Sequence, residues 1–153
     1  MSAPDELHAY RHKMPVHIRY ADIDMMQHVN NVTYLTYLEQ ARICYARDVL
    51  GWDGRMETLN IIVAHQRYDY VKPVFLTDTL EIWTRVSRMG SKSLDLDYLA
   101  IRLDRNRKAE ITGRGLTTLV VYDFAKDRSL HIPEEWRTRV ADYEPLVPEQ
   151  QKA

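Results

Sequence analysis

The alternation of apolar and polar positions changes period along the chain, and the changes mark out the elements. Val16, Ile18 and Tyr20 alternate with polar neighbours and predict a short strand from about Met14 to Tyr20. A polar turn holding Asp22, Asp24, His28, Asn30 and Asn31 follows. Val32, Leu35, Leu38, Ala41, Tyr45 and Val49 then recur at helical spacing, and Tyr34, Tyr37, Ile43, Cys44, Ala46 and Leu50 make much of the remaining surface apolar. The helix predicted from about Val32 to Leu50 is therefore buried on most sides. Asn30 or Asn31 can cap its start through a side-chain oxygen, and Gly51 can end it at positive φ. Glu39, Arg42, Arg47 and Asp48 make it too polar to span a membrane.

From Leu59 the period falls to two. Ile62, Ala64, Tyr68 and Tyr70 share one strand face, opposite Val63, His65, Arg67 and Asp69, and Pro73 ends the run. Leu80, Ile82 and Val86 mark the next strand, and Arg88–Lys92 reads as a hairpin turn. Leu94, Leu96 and Tyr98 give way to Leu99, Ile101 and Leu103, a slip of one residue that predicts a bulge. After a turn at Asp104–Lys108 a long strand runs from about Ala109 to Asp123, where Gly113 and Gly115 predict a bend or a close approach by another group. Pro133 opens a short C-terminal helix. Residues 1–13 and 145–153 read as loosely held flanks of one domain over 14–144. The order is strand, long helix, then four antiparallel strands: an α+β fold with one sheet of about five strands and one buried helix.

Composition narrows the function classes. A chain of 153 residues, 45% hydrophobic and 28% charged, is long enough for a core without disulfides or metals. A net charge of -1 gives no electrostatic case for nucleic acid or a membrane surface. The one cysteine, Cys44, reads as a small buried hydrophobe and fits a reducing compartment. The N-terminus lacks the apolar core of a signal peptide, so the expectation is a cytoplasmic protein. No CxxC, HExxH, Walker loop, GxGxxG or G-x-S-x-G occurs, and His12, His17, His65 and His131 have no ligand spacing. No metal is expected.

The polar turn carries the chemistry. It holds a carboxylate and an imidazole just outside a helix N-terminus, where free N–H groups can polarise a carbonyl oxygen. The run D-x-D-x-x-x-H-V-N-N-x-x-Y from Asp22 to Tyr34, followed by Y-x-E-x-A-R from Tyr37 to Arg42, resembles the hotdog-fold acyl-CoA thioesterases of the 4-hydroxybenzoyl-CoA thioesterase type. The resemblance covers about Met14 to Phe124. It implies an antiparallel sheet curled around the long helix, and hydrolysis of an acyl-CoA thioester to the free acid and coenzyme A. No cofactor is implied, because coenzyme A is part of the substrate.

The resemblance makes Asp24 the catalytic carboxylate, as nucleophile or as general base on water, with N–H groups from about Asn31 to Tyr34 as the oxyanion hole. His28 would orient water, hold Asp24 or bond the acyl carbonyl. Asn31 and Tyr34 are candidate substrate contacts, although Asn30 and Asn31 also read as turn-organising residues and Tyr34 as core. Asp22 reads as loop-organising. Glu39 reads as a structural buried carboxylate needing a partner such as Arg42. Trp52 reads as a packing residue. Arg88, Lys92 and Ser93 are expected to hold the nucleotide and phosphates of coenzyme A, with Arg105, Arg107 and Lys108 as a second basic turn. Rival readings are an acyl-carrier-protein thioesterase and a non-catalytic acyl-CoA binder. The partly uncovered helix and two sheet edges, together with the resemblance, predict a homodimer or homotetramer whose sites draw on both chains.

Overall fold

The computed structural model describes residues 4–104 and 106–150. Five main strands form one antiparallel sheet: β1 (His12–Val16), β2 (Ile61–Tyr70), β3 (Thr79–Met89), β4 (Ser93–Leu103) and β5 (Ala109–Asp123), in the order β1-β3-β4-β5-β2. Helix α1 (Thr33–Asp48) enters between β1 and β2 and packs over β1 and β3. Two-residue strands β6 (Arg128–Ser129) and β7 (Glu149–Gln150) extend the sheet beside β5 and β3, and α2 (Glu134–Tyr143) lies between them in the chain. This is the α+β architecture that the pattern predicts, in the hotdog arrangement that the resemblance implies.

The core lies between α1 and the inner face of the sheet. Leu38, Ala41 and Tyr45 of α1 meet Leu80, Ile82 and Val86 of β3 and Leu94, Leu96 and Tyr98 of β4. The buried stripe of α1 is rotated from the predicted one. Tyr34, Tyr37, Leu38, Ala41, Tyr45 and Ala46 are buried, while Val32 is exposed and Leu35 only partly covered. Apolar spacing alone could not choose between the two stripes, because the helix is apolar on both. Glu39 is exposed rather than buried, with Arg42 3.4 Å away. Cys44 is also only partly covered, beside Gln40.

Other boundaries move for local reasons. β1 begins at His12, two residues before the expected domain start. The buried His12 ring is held 2.9 Å from Asp48 of α1. β1 ends at Val16, and Tyr20, expected in the strand, stands exposed at the head of a 3-10 turn, Tyr20–Asp22. Before β1, Asp5–Ala9 forms a 3-10 turn and Glu6 pairs with Arg114. In the expected tail, Glu149 and Gln150 pair with Arg88 and Met89.

In β2 a bulge between Val63 and His65 shifts the faces, so Ile61 and Val63 share a face with Gln66, Tyr68 and Tyr70. The bulge expected near Tyr98 lies two residues later, between Ala100 and Ile101. At Gly113 a Cβ would collide with the Tyr68 phenol, and at Gly115 it would fall 2.7 Å from Leu38 Cδ1, the close approach the glycines predicted. Pro133 caps α2 rather than occupying its first turn. Trp52 packs on the core, and its Nε1 donates to Arg55 O at 2.9 Å, closing the loop after α1.

Candidate active site

The segment joining β1 to α1 folds into a small hairpin closed by a bridge between Ile23 and Val29. The Asp24 N–H donates to His28 O at 3.1 Å and the Gln27 N–H to Asp24 O at 2.9 Å, with Gln27 at φ 65°. The hairpin is anchored twice. Asn30 N–H donates to Asp22 O, and Val29 N–H to the carbonyl of fully buried Val74, both at 2.8 Å.

Asp22 is the anchor of this segment, in line with its loop-organising reading. Its side chain is 2% exposed. It accepts from the Arg19 backbone N–H at 2.9 Å, from the Arg19 guanidinium at 2.8 and 3.1 Å, and from Tyr37 Oη at 2.8 Å. Burial alone would raise its pKa, but the donors of Arg19 and Tyr37 together hold it below the usual aspartate value.

Asp24 is fixed differently. One carboxylate oxygen accepts from the Met26 N–H at 2.8 Å, and the other from Asn30 Nδ2 at 3.3 Å. The carboxylate is therefore held in one orientation while staying partly exposed to a cleft of about 350 Å³. Asp24, His28, Asn31, Tyr34, Tyr70 and Lys72 line that cleft. The partner of Asp24 is Asn30 rather than His28, whose ring makes an edge contact with Phe75 at 5.3 Å.

The start of α1 faces the same cleft. Asn30 takes up two first-turn donors, accepting from Val32 N–H through its side chain at 2.9 Å and from Thr33 N–H through its carbonyl at 3.0 Å. Among the described residues, the N–H groups of Asn31 and Tyr34 meet no protein acceptor. Tyr70 Oη donates to Asn31 O at 2.8 Å and so orients the peptide at the helix entrance. Tyr34 is both core and cleft wall: it is 3% exposed, and its ring stacks on Tyr68 at 5.0 Å.

Tyr70 and Lys72 were not singled out by sequence reasoning. The only signal for them was position, at the end of a strand just before Pro73. Lys72 is paired with Glu110.

Arg88, Lys92 and Ser93 do come together, but away from Asp24. Arg88 forks onto Asp95 at 2.6 and 2.9 Å and donates to Ser93 Oγ at 3.1 Å. Lys92 is exposed, its carbonyl bonded to Val121 N–H. Val121 pairs with Ile61 at the start of β2, whereas the Asp24 hairpin sits at Tyr70, its end. β2 is ten residues long, so its two ends lie roughly 30 Å apart. Arg107 and Lys108 lie in the β4–β5 turn, and Arg105 lies outside the described residues.

A curled sheet around one helix, with a fixed carboxylate beside unpaired helix N-terminal amides, defines a hotdog-fold thioesterase. The chain belongs to the Thioesterase-like superfamily, whose family model matches residues 18–140. It is 27% identical over 135 residues to the long-chain acyl-CoA thioesterase FadM of Escherichia coli (strain K12), covering 82% of this chain and 93% of FadM. It is 36% identical over 89 residues to the uncharacterised protein YsmA of Bacillus subtilis (strain 168), a match spanning 58% of this chain and 60% of YsmA. A thioesterase from Thermus thermophilus, complexed with coenzyme A and zinc, superposes with a TM-score of 0.76 at 29% identity, over 89% of this chain and 96% of that one. Among the described residues, no three His, Cys, Asp or Glu side chains gather as a metal-ligand set. No helix among them is long and apolar enough to cross a membrane.

Proposed function

We propose that the protein hydrolyses an acyl-CoA thioester, with Asp24 as the catalytic carboxylate. The observation that carries this is the Asp24 carboxylate, fixed by Met26 and Asn30, in one cleft with two residues whose N–H groups are unpaired, Asn31 and Tyr34. Asp24 either attacks the thioester carbonyl, giving a mixed anhydride that water then cleaves, or takes a proton from an attacking water. Both routes place negative charge on the carbonyl oxygen, where the Asn31 and Tyr34 amides stabilise it. The thiolate of coenzyme A then leaves and takes up a proton. His28 lines the same cleft and positions water or substrate. Lys92 holds the phosphates of coenzyme A. The reading matches the activity named for FadM and the coenzyme A bound by the Thermus thioesterase.

The working unit proposed is a two-fold dimer paired along β2. This strand is a sheet edge with exposed Val63 and Tyr70, and α1 leaves its inner face only partly covered. Antiparallel pairing would bring the partner's Lys92 end beside the Tyr70 end of this chain, joining groups that one chain keeps roughly 30 Å apart. The unpaired Cys44 supports a reducing, cytoplasmic setting.

Thiol release from a panel of acyl-CoAs, with the matching acyl-carrier-protein thioesters alongside, tests the activity. Turnover of acyl-CoA is expected. Tight binding without thiol release would make the protein an acyl-CoA binder, and turnover of carrier-protein thioesters alone would reassign the substrate.

A further inference from the structure

Among the buried side-chain atoms that lack a hydrogen-bond partner are Arg42 Nη1 of α1 and, on the inner face of the sheet, Gln66 Nε2, Tyr98 Oη and Thr117 Oγ1. Tyr98 is 1% exposed and Thr117 0%. Such atoms are rare in folded proteins, and each costs roughly 1–3 kcal/mol. Here they are neighbours. Gln66 of β2 lies opposite Thr117 of β5, and Tyr98 of β4 lies opposite Gly115, two residues before Thr117. Burial pushes the Tyr98 phenol up to about 12, and Thr117 and Arg42, donors placed too far or too obliquely for well-formed hydrogen bonds, pull it back down, so all three groups share one space.

The chemistry of the group is one-sided. A guanidinium and an amide NH2 only donate, and the two hydroxyls can donate as well. Arg42 keeps its charge with its side chain 10% exposed, yet its carboxylate neighbour is Glu39, 3.4 Å away and 67% exposed. The other inward positions nearby, Leu96, Leu119 and Val63, are apolar. The hydroxyls and Gln66 Oε1 also accept, but among the described residues the buried Arg42 charge has only the exposed Glu39 as its ion-pair partner, and a negative acceptor matches it best.

The cluster also lies in line with the cleft. Tyr34 and Tyr70 line the cleft, and Tyr68 stands behind them, 5.0 Å from Tyr34 and 4.8 Å from Tyr70 between ring centroids. A Cβ on Gly115 would touch both Tyr68 and Tyr98, at 3.4 and 3.2 Å, so the aromatic wall reaches the polar cluster. The Tyr68 hydroxyl has no partner either, so displacing its ring costs packing but no hydrogen bond. From Tyr70 to Gln66 is four strand residues, roughly 13 Å, the reach of a medium-length acyl chain.

We propose that Arg42, Gln66, Tyr98 and Thr117 form the receptor for the far end of the acyl chain, and that it selects acyl groups ending in a carboxylate. This rests on the acyl-CoA reading of the Asp24 cleft.

The test compares decanedioyl-CoA, as the mono-thioester, with decanoyl-CoA and ω-hydroxydecanoyl-CoA. In the wild type, kcat/KM for the diacid should exceed that for decanoyl-CoA by about tenfold or more, the scale of one hydrogen bond to a charged group, with the hydroxy chain between. Arg42→Met and Tyr98→Phe should each lower that ratio, and Arg42→Lys should restore part of it. A purely structural role would lower both activities together and leave the ratio alone. A wild-type ratio at or below one, or a ratio untouched by both Arg42→Met and Tyr98→Phe, overturns the proposal. Calorimetry with non-hydrolysable thioether analogues reads the same preference without turnover. Failure to hydrolyse any thioester would therefore sink the activity, while the binding ratio still decides the receptor.

Discussion

Asp22 and Asp24 are two residues apart and differently placed, and the difference lies in what surrounds each carboxylate. Asp22 is enclosed by the donors of Arg19 and Tyr37 and holds the hairpin, whereas Asp24 is oriented by two hydrogen bonds and left open to the cleft. Asp24→Asn should keep the fold and lower kcat by roughly 10²-fold or more, the scale for losing a positioned acid–base or nucleophilic group; normal turnover in that variant would remove Asp24 from the mechanism. For Asp22, a folded-state pKa held below the ordinary value means that its carboxylate stabilises the fold above the ordinary aspartate range. That stabilisation is lost as pH falls through the depressed value. Tyr37→Phe removes one of the donors. It should cost about 2 kcal/mol at neutral pH and move the midpoint of acid unfolding upward. Urea titrations at stepped pH would show it, and an unmoved acid midpoint would mean that Tyr37 does not hold this carboxylate.

At the scale of elements, the sequence was most legible where one pattern had one solution. β3 carries Leu80, Ile82 and Val86 inward as the alternation predicted, and the D-x-D-x-x-x-H-V-N-N run forms the polar turn and helix entrance expected there, the turn folded as a small hairpin. It was least legible where tertiary packing chose among equal options. The buried stripe of α1 could not be told from its neighbour, and the β2 bulge reversed a face assignment that strict alternation had made. In the site, Asp24 was singled out by its motif, whereas Tyr70 and Lys72 are brought to the same cleft by strand register, which no local spacing encodes. The glycines of β5 were legible because a missing side chain in a strand needs a reason. Gly113→Ala would drive a methyl group into the Tyr68 phenol and should cost about 1–3 kcal/mol, displacing the ring behind the cleft. An unchanged urea midpoint would show that Tyr68 is free to move away.

At the scale of the molecule, one chain leaves its proposed site unfinished. The fixed carboxylate lies at one end of β2 and the exposed lysine of the β3–β4 turn near the other. A two-fold pairing along the free edge of β2 would resolve this and cover the inner face that α1 leaves open. Thermal stability should then rise with protein concentration, because folding and association are linked; a transition temperature independent of concentration, with an active monomer in light scattering, would count against the dimer. Mixing two impaired chains tests the shared site most directly. Asp24→Asn and Lys92→Ala protomers are each prepared alone, then unfolded together, refolded, and assayed for thiol release at low acyl-CoA concentration, with native mass spectrometry to count hybrids. A hybrid built as proposed contains one intact site, the carboxylate from one chain and the lysine from the other. Activity should therefore rise well above that of either parent. Hybrids that form in quantity but show only the average of their parents would contradict a site made from two chains.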